Sequence, residues 1–174
     1  KMELENRVTE LKILRGAWSN EQLSLERKVN TTYPSRIQQY QRQIEQISQD
    51  AALLEQSRGG NFSIVLDGKR YTERPEAGEA LALLYRRISE GRKKDDYDFE
   101  IGTYRGFRLY LSFDPFSAGL VLRGSSRYNT DIGSSGQGAI TRIENLAERI
   151  PSYLTYAQQD LEEVQKQLEA ARQQ

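Results

Sequence analysis

The stretch FEIGTYRGFRLYLSF, residues 99–113, decides the fold of this chain. Apolar residues occupy alternate positions on both sides of a turn at Tyr104-Arg105-Gly106: Phe99, Ile101, Phe107, Leu109, Leu111 and Phe113. Alternation with a period of two is typical of strands with one buried face. The stretch therefore predicts an antiparallel β-hairpin.

Two further hairpins flank this one. Asp67-Gly68 is a strong two-residue hairpin signal, and it joins the alternating residues of 62–66 to those of 69–71. Gly124-Ser125-Ser126 forms the turn of the third hairpin, and Pro75 opens a helix over residues 76–90. For residues 58–138 the sequence thus predicts a small antiparallel sheet of five or six strands with one covering helix.

Apolar residues at three- and four-residue spacing predict long helices on both sides of the sheet region. Residues 1–57 carry two such seams with a break near 31–34, because Pro34 is tolerated only in the first turn of a new helix. Residues 139–174 carry one long seam, in which we expect Pro151 to cause a kink or brief break.

Because the seams match in period, residues 35–57 and 150–172 are expected to pack antiparallel as a coiled-coil-like stalk. The fold class is then α+β, with the small sheet mounted on a long two-helix stalk. Ile44, Ile47, Leu161 and Val164 should be buried in it, and Trp18 should pack in the first seam. A homodimer through the helices stays open, although pairing within one chain needs no partner.

Composition excludes several classes of function. Basic and acidic residues number 25 each, so no overall charge excess drives binding to nucleic acid or membranes. Cysteine and histidine are both absent, which removes disulfides, Cys/His zinc sites and catalysis by imidazole. The acidic run Asp95-Asp96-Tyr97-Asp98 lies in a predicted loop and is interpreted as solubilising charge. We expect no metal, no cofactor, no membrane span and no enzyme activity.

A glycine-rich loop, GSSGQG at 133–138, leads into the helix that begins near Ile140. It has the spacing of a phosphate-binding P-loop, but Ala139 and Ile140 occupy the positions of the required Lys and Ser/Thr. A weaker hypothesis is that Gly138 and Arg142 hold one backbone phosphate or carboxylate at the helix start. The alternative is a flexible connection with no ligand.

Arginine and tyrosine residues recur along the predicted strands. Basic side chains interleaved with aromatic rings on one sheet face are typical of modules that bind single-stranded nucleic acid. Residues 58–149 are barely positive, with 15 basic and 13 acidic residues, so an ordinary solvated sheet face is the alternative. The candidate binding residues in the sheet region are Arg70, Tyr104, Arg105, Arg108, Tyr110, Arg123 and Arg127.

Several of these runs, taken in order, resemble a known family: FSIVLDGKRYTERPEAGEAL, IGTYRGFRLYLSF, LVLRGSSRYNTDIG and GQGAITRIENL. The family is the C-terminal accessory region of very large Swi/Snf-type helicase and adenine-specific DNA methyltransferase-like proteins of bacterial plasmids, phages and conjugative elements. Neither a motor motif nor a methyltransferase motif is present, so the resemblance transfers no catalytic residue. It implies a bacterial accessory domain beyond the motor.

Two hypotheses for function follow. In the first, the chain is a non-catalytic accessory domain of a cytoplasmic DNA helicase or methyltransferase-like protein, which assists DNA binding or positions the motor. Its partners are then the rest of the parent chain and DNA. In the second, it is a structural coiled-coil module that binds protein and makes no nucleic-acid contact.

Overall fold

The computed structural model of the chain describes residues 2–174, and its fold class is α+β, as the sequence predicts. Six antiparallel strands form one sheet in the order β2-β1-β3-β4-β5-β6. The strands are β1 (Ile64–Leu66), β2 (Lys69–Tyr71), β3 (Asp98–Tyr104), β4 (Phe107–Phe113), β5 (Ala118–Arg123) and β6 (Arg127–Asp131). The helices are α1 (Met2–Arg27), α2 (Tyr33–Gln56), α3 (Arg74–Gly91), α4 (Gly136–Glu148) and α5 (Ile150–Arg172).

Tight turns set the register of two hairpins. Asp67 and Gly68 join β1 to β2, and Arg105 and Gly106 join β3 to β4; all four residues have positive φ, between 49° and 85°. Two consecutive residues with positive φ match the right-handed twist of paired strands. The turns predicted from Asp-Gly and Arg-Gly are therefore confirmed.

Two helices, rather than the single predicted one, lie against the sheet. Helix α3 contacts β1 and β2, while α4 contacts β5, β6 and α3. Helices α3 and α4 are part of the layer that covers the inner face of the sheet. The strand residues buried on that face include Leu66, Phe107, Leu109, Leu111, Leu120 and Leu122. The covering layer is consequently built partly from the C-terminal segment.

The predicted C-terminal helix 139–174 is in fact two helices. Helix α4 ends at Glu148 and α5 begins at Ile150, with Pro151 in the first turn of α5, where a missing N–H costs little. The apolar spacing runs unbroken through this point because Ile143, Ala147 and Ile150 are all buried. Periodicity alone therefore does not separate the two helices.

The predicted break near 31–34 is a π-helical turn at Lys28–Thr32, through which α1 runs directly into α2. The backbone N–H of Tyr33 donates to the carbonyl of Lys28, five residues earlier. Proline in a helix interior lacks an N–H and crowds the carbonyl four residues before it. The wider turn just before Pro34 lets the helix continue past it.

The chain divides into two compact units, residues 2–42 with Tyr156–Gln174, and residues 43–155. In the first unit the buried residues are Ala157, Val164 and Leu168 of α5, at helical spacing. On the α1–α2 side, partial burial begins only at Leu25 and continues through Val29 to Tyr40. No residue of α1 is buried, and Trp18, which we expected to pack, has 66 % of its surface exposed.

The four seam residues expected to be buried differ in how well they are covered. Ile47 and Val164 are buried, whereas Ile44 and Leu161 are half-buried. Gln46, which the seam spacing predicts to be exposed between Ile44 and Ile47, is also half-buried. Because its neighbour Glu45 is exposed, Glu45 marks the solvent side of this part of α2.

Asp50 of α2 is a buried carboxylate, 2 % exposed, within the second unit. It accepts hydrogen bonds from the backbone N–H groups of Ser125 (2.6 Å) and Ser126 (2.9 Å) and from the Tyr128 hydroxyl (2.7 Å). A Cβ on Gly124 would lie 2.2 Å from the Asp50 carboxylate, so this close approach needs glycine. Asp50 thus fixes the β5–β6 turn to α2.

Ile47→Ala should lower the free energy of unfolding by about 2–5 kcal/mol, because it removes buried methyl groups and leaves a cavity. Glu45→Ala, two residues away on the exposed side, is the matched control and should change it by less than about 0.5 kcal/mol. Urea unfolding followed by circular dichroism measures both. Equal losses in the two variants would mean that Ile47 does not pack as described.

Asp50→Ala should lower the free energy of unfolding by about 3 kcal/mol or more, because it leaves two part-buried N–H groups and one buried hydroxyl without an acceptor. Ser125→Ala is the control, since Ser125 reaches Asp50 through its backbone and loses only an exposed bond to Gln49. Denaturant titration of both variants is the measurement. A loss below 1 kcal/mol for Asp50→Ala would contradict the role given to this carboxylate.

Candidate nucleic-acid interface

The face of the sheet opposite the core carries a line of arginines. Strand register aligns one residue from each strand, in the order Arg70, Val65, Thr103, Arg108, Arg123 and Arg127. We call Arg70, Arg108, Arg123 and Arg127 the arginine row. All four are exposed. At about 4.8 Å between strands, the row extends over about 24 Å.

Three arginines of the row are direct cross-strand neighbours. Arg108 lies opposite Arg123, and Arg123 lies opposite Arg127. Like charges in such positions repel each other. Within residues 2–174, neither Arg108 nor Arg123 has a carboxylate within ion-pair distance. By register the face also carries the carboxylates of Asp98, Glu100 and Asp131, so its positive charge is local to Arg108 and Arg123, which form no ion pair in the described chain.

Arg127 is paired within the sheet. Its guanidinium donates to Asp98 (3.0 Å) and to the Ser112 hydroxyl (3.3 Å), reaching across β5 and β4. Val121 belongs to β5, the strand that the Arg127 side chain crosses. It faces outward as well, yet only 2 % of its surface is exposed. Hydrogen bonding by Ser112, together with Arg127, lowers the pKa of Asp98 below its usual value. The strand neighbour of Val121 is Tyr110, which is half-buried on the same face.

A cleft of about 700 Å³ opens at the β2 end of the row. Val65, Arg70 and Thr103 belong to both the row and the cleft wall. The opposite walls come from the loop of residues 57–63, the β3–β4 turn and the end of α4. All of these residues lie in the second compact unit.

Ion pairs hold the cleft walls in place. Arg74 donates through Nε (2.9 Å) and a terminal nitrogen (3.1 Å) to the two carboxylate oxygens of Glu144. Its guanidinium lies over the Phe62 ring, 4.8 Å from the centroid. Arg70 instead donates to the neutral Ser63 hydroxyl (2.8 Å). No carboxylate of the described chain, residues 2–174, pairs with Arg70.

Tyr104 and Arg105, two predicted binding residues, are used inside the fold. Arg105 donates to the Ser57 hydroxyl (2.6 Å), to Glu148 (2.8 Å) and to the Leu54 carbonyl (2.8 Å), and its side chain is 15 % exposed. It ties the β3–β4 turn to the end of α2. Tyr104 faces the core, and burial, with Glu144 nearby, raises the pKa of its phenol. Neither side chain belongs to the outward face.

Two further strand tyrosines, Tyr71 and Tyr128, also face inward. Tyr71 lies opposite Ile64 and therefore on the core side of the sheet. Tyr128 is buried, and its hydroxyl donates to Asp50. Burial, followed by the hydrogen bond to Asp50, raises the pKa of the Tyr128 phenol. Among Tyr71, Tyr104, Tyr110 and Tyr128, Tyr110 alone lies beside the arginine row. The predicted interleaving of rings with arginines is thus reduced to one residue.

The glycine-rich loop has a packing role. A Cβ on Gly136 would lie 2.0 Å from the Gly78 carbonyl oxygen, and one on Gly78 would lie 2.9 Å from the backbone nitrogen of Gln137. These two glycines let α3 and α4 approach backbone to backbone. The loop that resembles a phosphate cradle in sequence is the contact point of a close helix crossing.

Gly138 and Arg142 already have partners at the start of α4. The Gly138 N–H donates to the side chain of Ser135, the N-cap residue, at 3.0 Å. The Arg142 guanidinium donates to Asp131 at 2.6 Å. The structure places both residues away from the arginine row, because α4 packs on the other side of the sheet.

Sequence reasoning missed the cleft residues Phe62, Arg74 and Glu144. They come together only when the loop before β1 meets α3 and α4, and no spacing along the chain signals that contact. It also named the four row arginines without seeing that they align. That alignment follows from the pairing of Val65 with Thr103 and of Thr103 with Arg108, which is set by contacts between strands and not by spacing along the chain.

Residues 2–174 contain no group of three or more Asp and Glu side chains placed to hold a metal ion. No helix in the described part of the chain is long and apolar enough to cross a membrane. No family model, no curated protein and no solved structure matches the chain. The geometry is therefore the basis for assigning function.

Gly136→Ala should destabilise the protein by at least about 1–3 kcal/mol, because the new methyl group overlaps the backbone of α3. Gly91→Ala, at the end of α3, adds the same methyl group where nothing lies within 4 Å and is the control. Thermal unfolding followed by circular dichroism compares the two variants. Equal midpoints would show that the helices do not cross at Gly78 and Gly136.

Proposed function

We propose that this chain is a non-catalytic accessory module that binds single-stranded nucleic acid along the arginine row. The observation that carries the proposal is that Arg108 lies directly opposite Arg123 on the adjacent strand and that neither forms an ion pair within residues 2–174. Such a pair costs stability unless an anion lies between the two side chains. A line of phosphates provides that anion.

A single strand suits this surface better than a duplex. The row runs across a sheet rather than along a protruding helix, and modules that bind single strands combine a basic track with exposed rings. Tyr110 is the ring next to the row. Its stacking with a base would be worth about 1–3 kcal/mol, and the arginines would supply contacts to the backbone.

The resemblance to helicase and methyltransferase-like proteins supports DNA as the strand and a large bacterial protein as the parent. In that setting the module assists DNA binding or positions the motor, needs no cofactor and works in the cytoplasm. Its zero net charge implies modest affinity in isolation. The module would then act mainly after a motor elsewhere in the parent chain has engaged DNA.

The joint variant Arg108→Gln, Arg123→Gln should weaken binding of a single-stranded oligonucleotide and flatten its salt dependence. Each lost phosphate contact reduces the magnitude of the negative slope of log K against log salt by about 0.7 for a single strand. Loss of both contacts should therefore reduce it by about 1.4. Fluorescence anisotropy at several salt concentrations measures this. Single-stranded DNA, duplex DNA and single-stranded RNA form the three arms.

The control is the joint variant Arg36→Gln, Arg42→Gln, which removes two exposed arginines from α2. It should leave the slope unchanged. An unchanged slope in the Arg108, Arg123 variant, or no binding of any oligonucleotide at low salt, would contradict the proposal.

A second candidate function is protein binding through α1, and one observation favours it. Leu4, Leu11 and Trp18 form an apolar seam at heptad spacing, and all three are exposed. Exposed apolar surface of this kind marks interaction sites. In this alternative the helices hold a protein partner or a second copy of the chain, and the sheet contacts no nucleic acid.

A further inference from the structure

We infer that the cleft at the β2 end of the arginine row receives an unpaired base of the bound strand, stacked on the guanidinium of Arg74. The inference rests on the proposed function, because the row brings the strand to the cleft. It adds a base-binding pocket to a surface that otherwise contacts the backbone.

The row leads into the cleft without interruption. Val65 and Thr103 continue the line of Arg108, Arg123 and Arg127, and Arg70 ends it, so phosphates lying on the row bring the next nucleotide to the cleft mouth. A volume of about 700 Å³ falls within the usual range for small-ligand sites. It is more than sufficient for one base.

The Arg74 guanidinium is a flat platform held by its neighbours. Both oxygens of Glu144 bind one edge of it, and its central carbon lies over the Phe62 ring. Its side chain is still 58 % exposed and lines the cleft, so a base that enters the cleft can reach it. Bases in single-stranded complexes stack on guanidinium planes as well as on aromatic rings.

Most charged side chains inside the cleft are paired with one another. Three carboxylates, Glu55, Glu144 and Glu148, line the cleft beyond the row beside their ion-pair partners Arg58, Arg74 and Arg105. These arginines are already engaged, whereas the carboxylates keep lone pairs that accept hydrogen bonds from the amino groups of bases. The Asn61 amide and the Thr103 hydroxyl, also in the lining, add neutral donors and acceptors. A strand is therefore expected to place its backbone on the row and a base inside.

The chain has no cysteine, so one introduced thiol reports on the cleft alone. In the Asn61→Cys variant, a saturating single-stranded DNA oligonucleotide should slow alkylation of the thiol at least fivefold. An abasic oligonucleotide of equal length and charge, saturating by anisotropy, should not slow it. The matched control is Glu79→Cys on α3, outside the cleft, where neither oligonucleotide should slow the reaction.

A second variant tests the platform itself. Arg74→Lys keeps the charge beside Glu144 but removes the plane, and lysine does not replace arginine at a stacked site. Affinity for the base-bearing strand should fall about 5- to 150-fold, the equivalent of one lost stack, and affinity for the abasic strand should stay the same. Equal weakening for both strands would overturn the stacking role.

The outcomes separate this inference from the proposed function. If both strands protect the thiol equally, the cleft holds backbone phosphate and the inference is overturned. If the strand binds and depends on Arg108 and Arg123 but leaves the thiol unprotected, the inference fails and the proposed function stands. If no strand binds, both are overturned.

Discussion

Asp50 is the constraint on which the β5–β6 end of the sheet depends. A carboxylate with almost no contact with water must be fully hydrogen-bonded, and here the three donors all come from the β5–β6 turn and the strand after it. The requirement extends to Gly124, where any side chain would strike the carboxylate. One buried charge thus determines the residues of a turn 75 positions away in the sequence.

The same turn positions half of the candidate interface. Arg123 is the last residue of β5 and Arg127 the first of β6, so both arginines flank the turn that Asp50 holds. Arg105 acts similarly at the neighbouring β3–β4 turn, where it binds the end of α2 and lies three residues before Arg108. Buried polar contacts on one edge of the sheet therefore keep mutually repelling cations in register on its outer face.

The parts of the fold that could be predicted are those encoded by neighbours in sequence. Alternation around Arg105-Gly106 and Asp67-Gly68 predicts hairpins because strand pairing and positive φ are local properties. The division at Arg149 was predicted only as a kink or brief break at Pro151, because the apolar seam runs from α4 into α5 without a change of phase. The contact between Gly78 and Gly136 was missed for a different reason. A glycine that permits a close helix crossing and one that permits a flexible loop are identical in a sequence.

The π turn at Lys28–Thr32 also has a geometric consequence. The apolar seam of α1 reaches Val29 and that of α2 resumes at Ile37, eight residues later, one more than a heptad. In a continuous α-helix, eight residues at about 100° each would place the second seam about 80° away from the first. Because a π turn closes over one more residue than an α turn, it absorbs the surplus and returns both seams to one side of the helix. The turn thus keeps the apolar side chains of α1 and α2 on one side of the helix. The exposed seam of α1 is therefore a continuation of the more buried seam of α2.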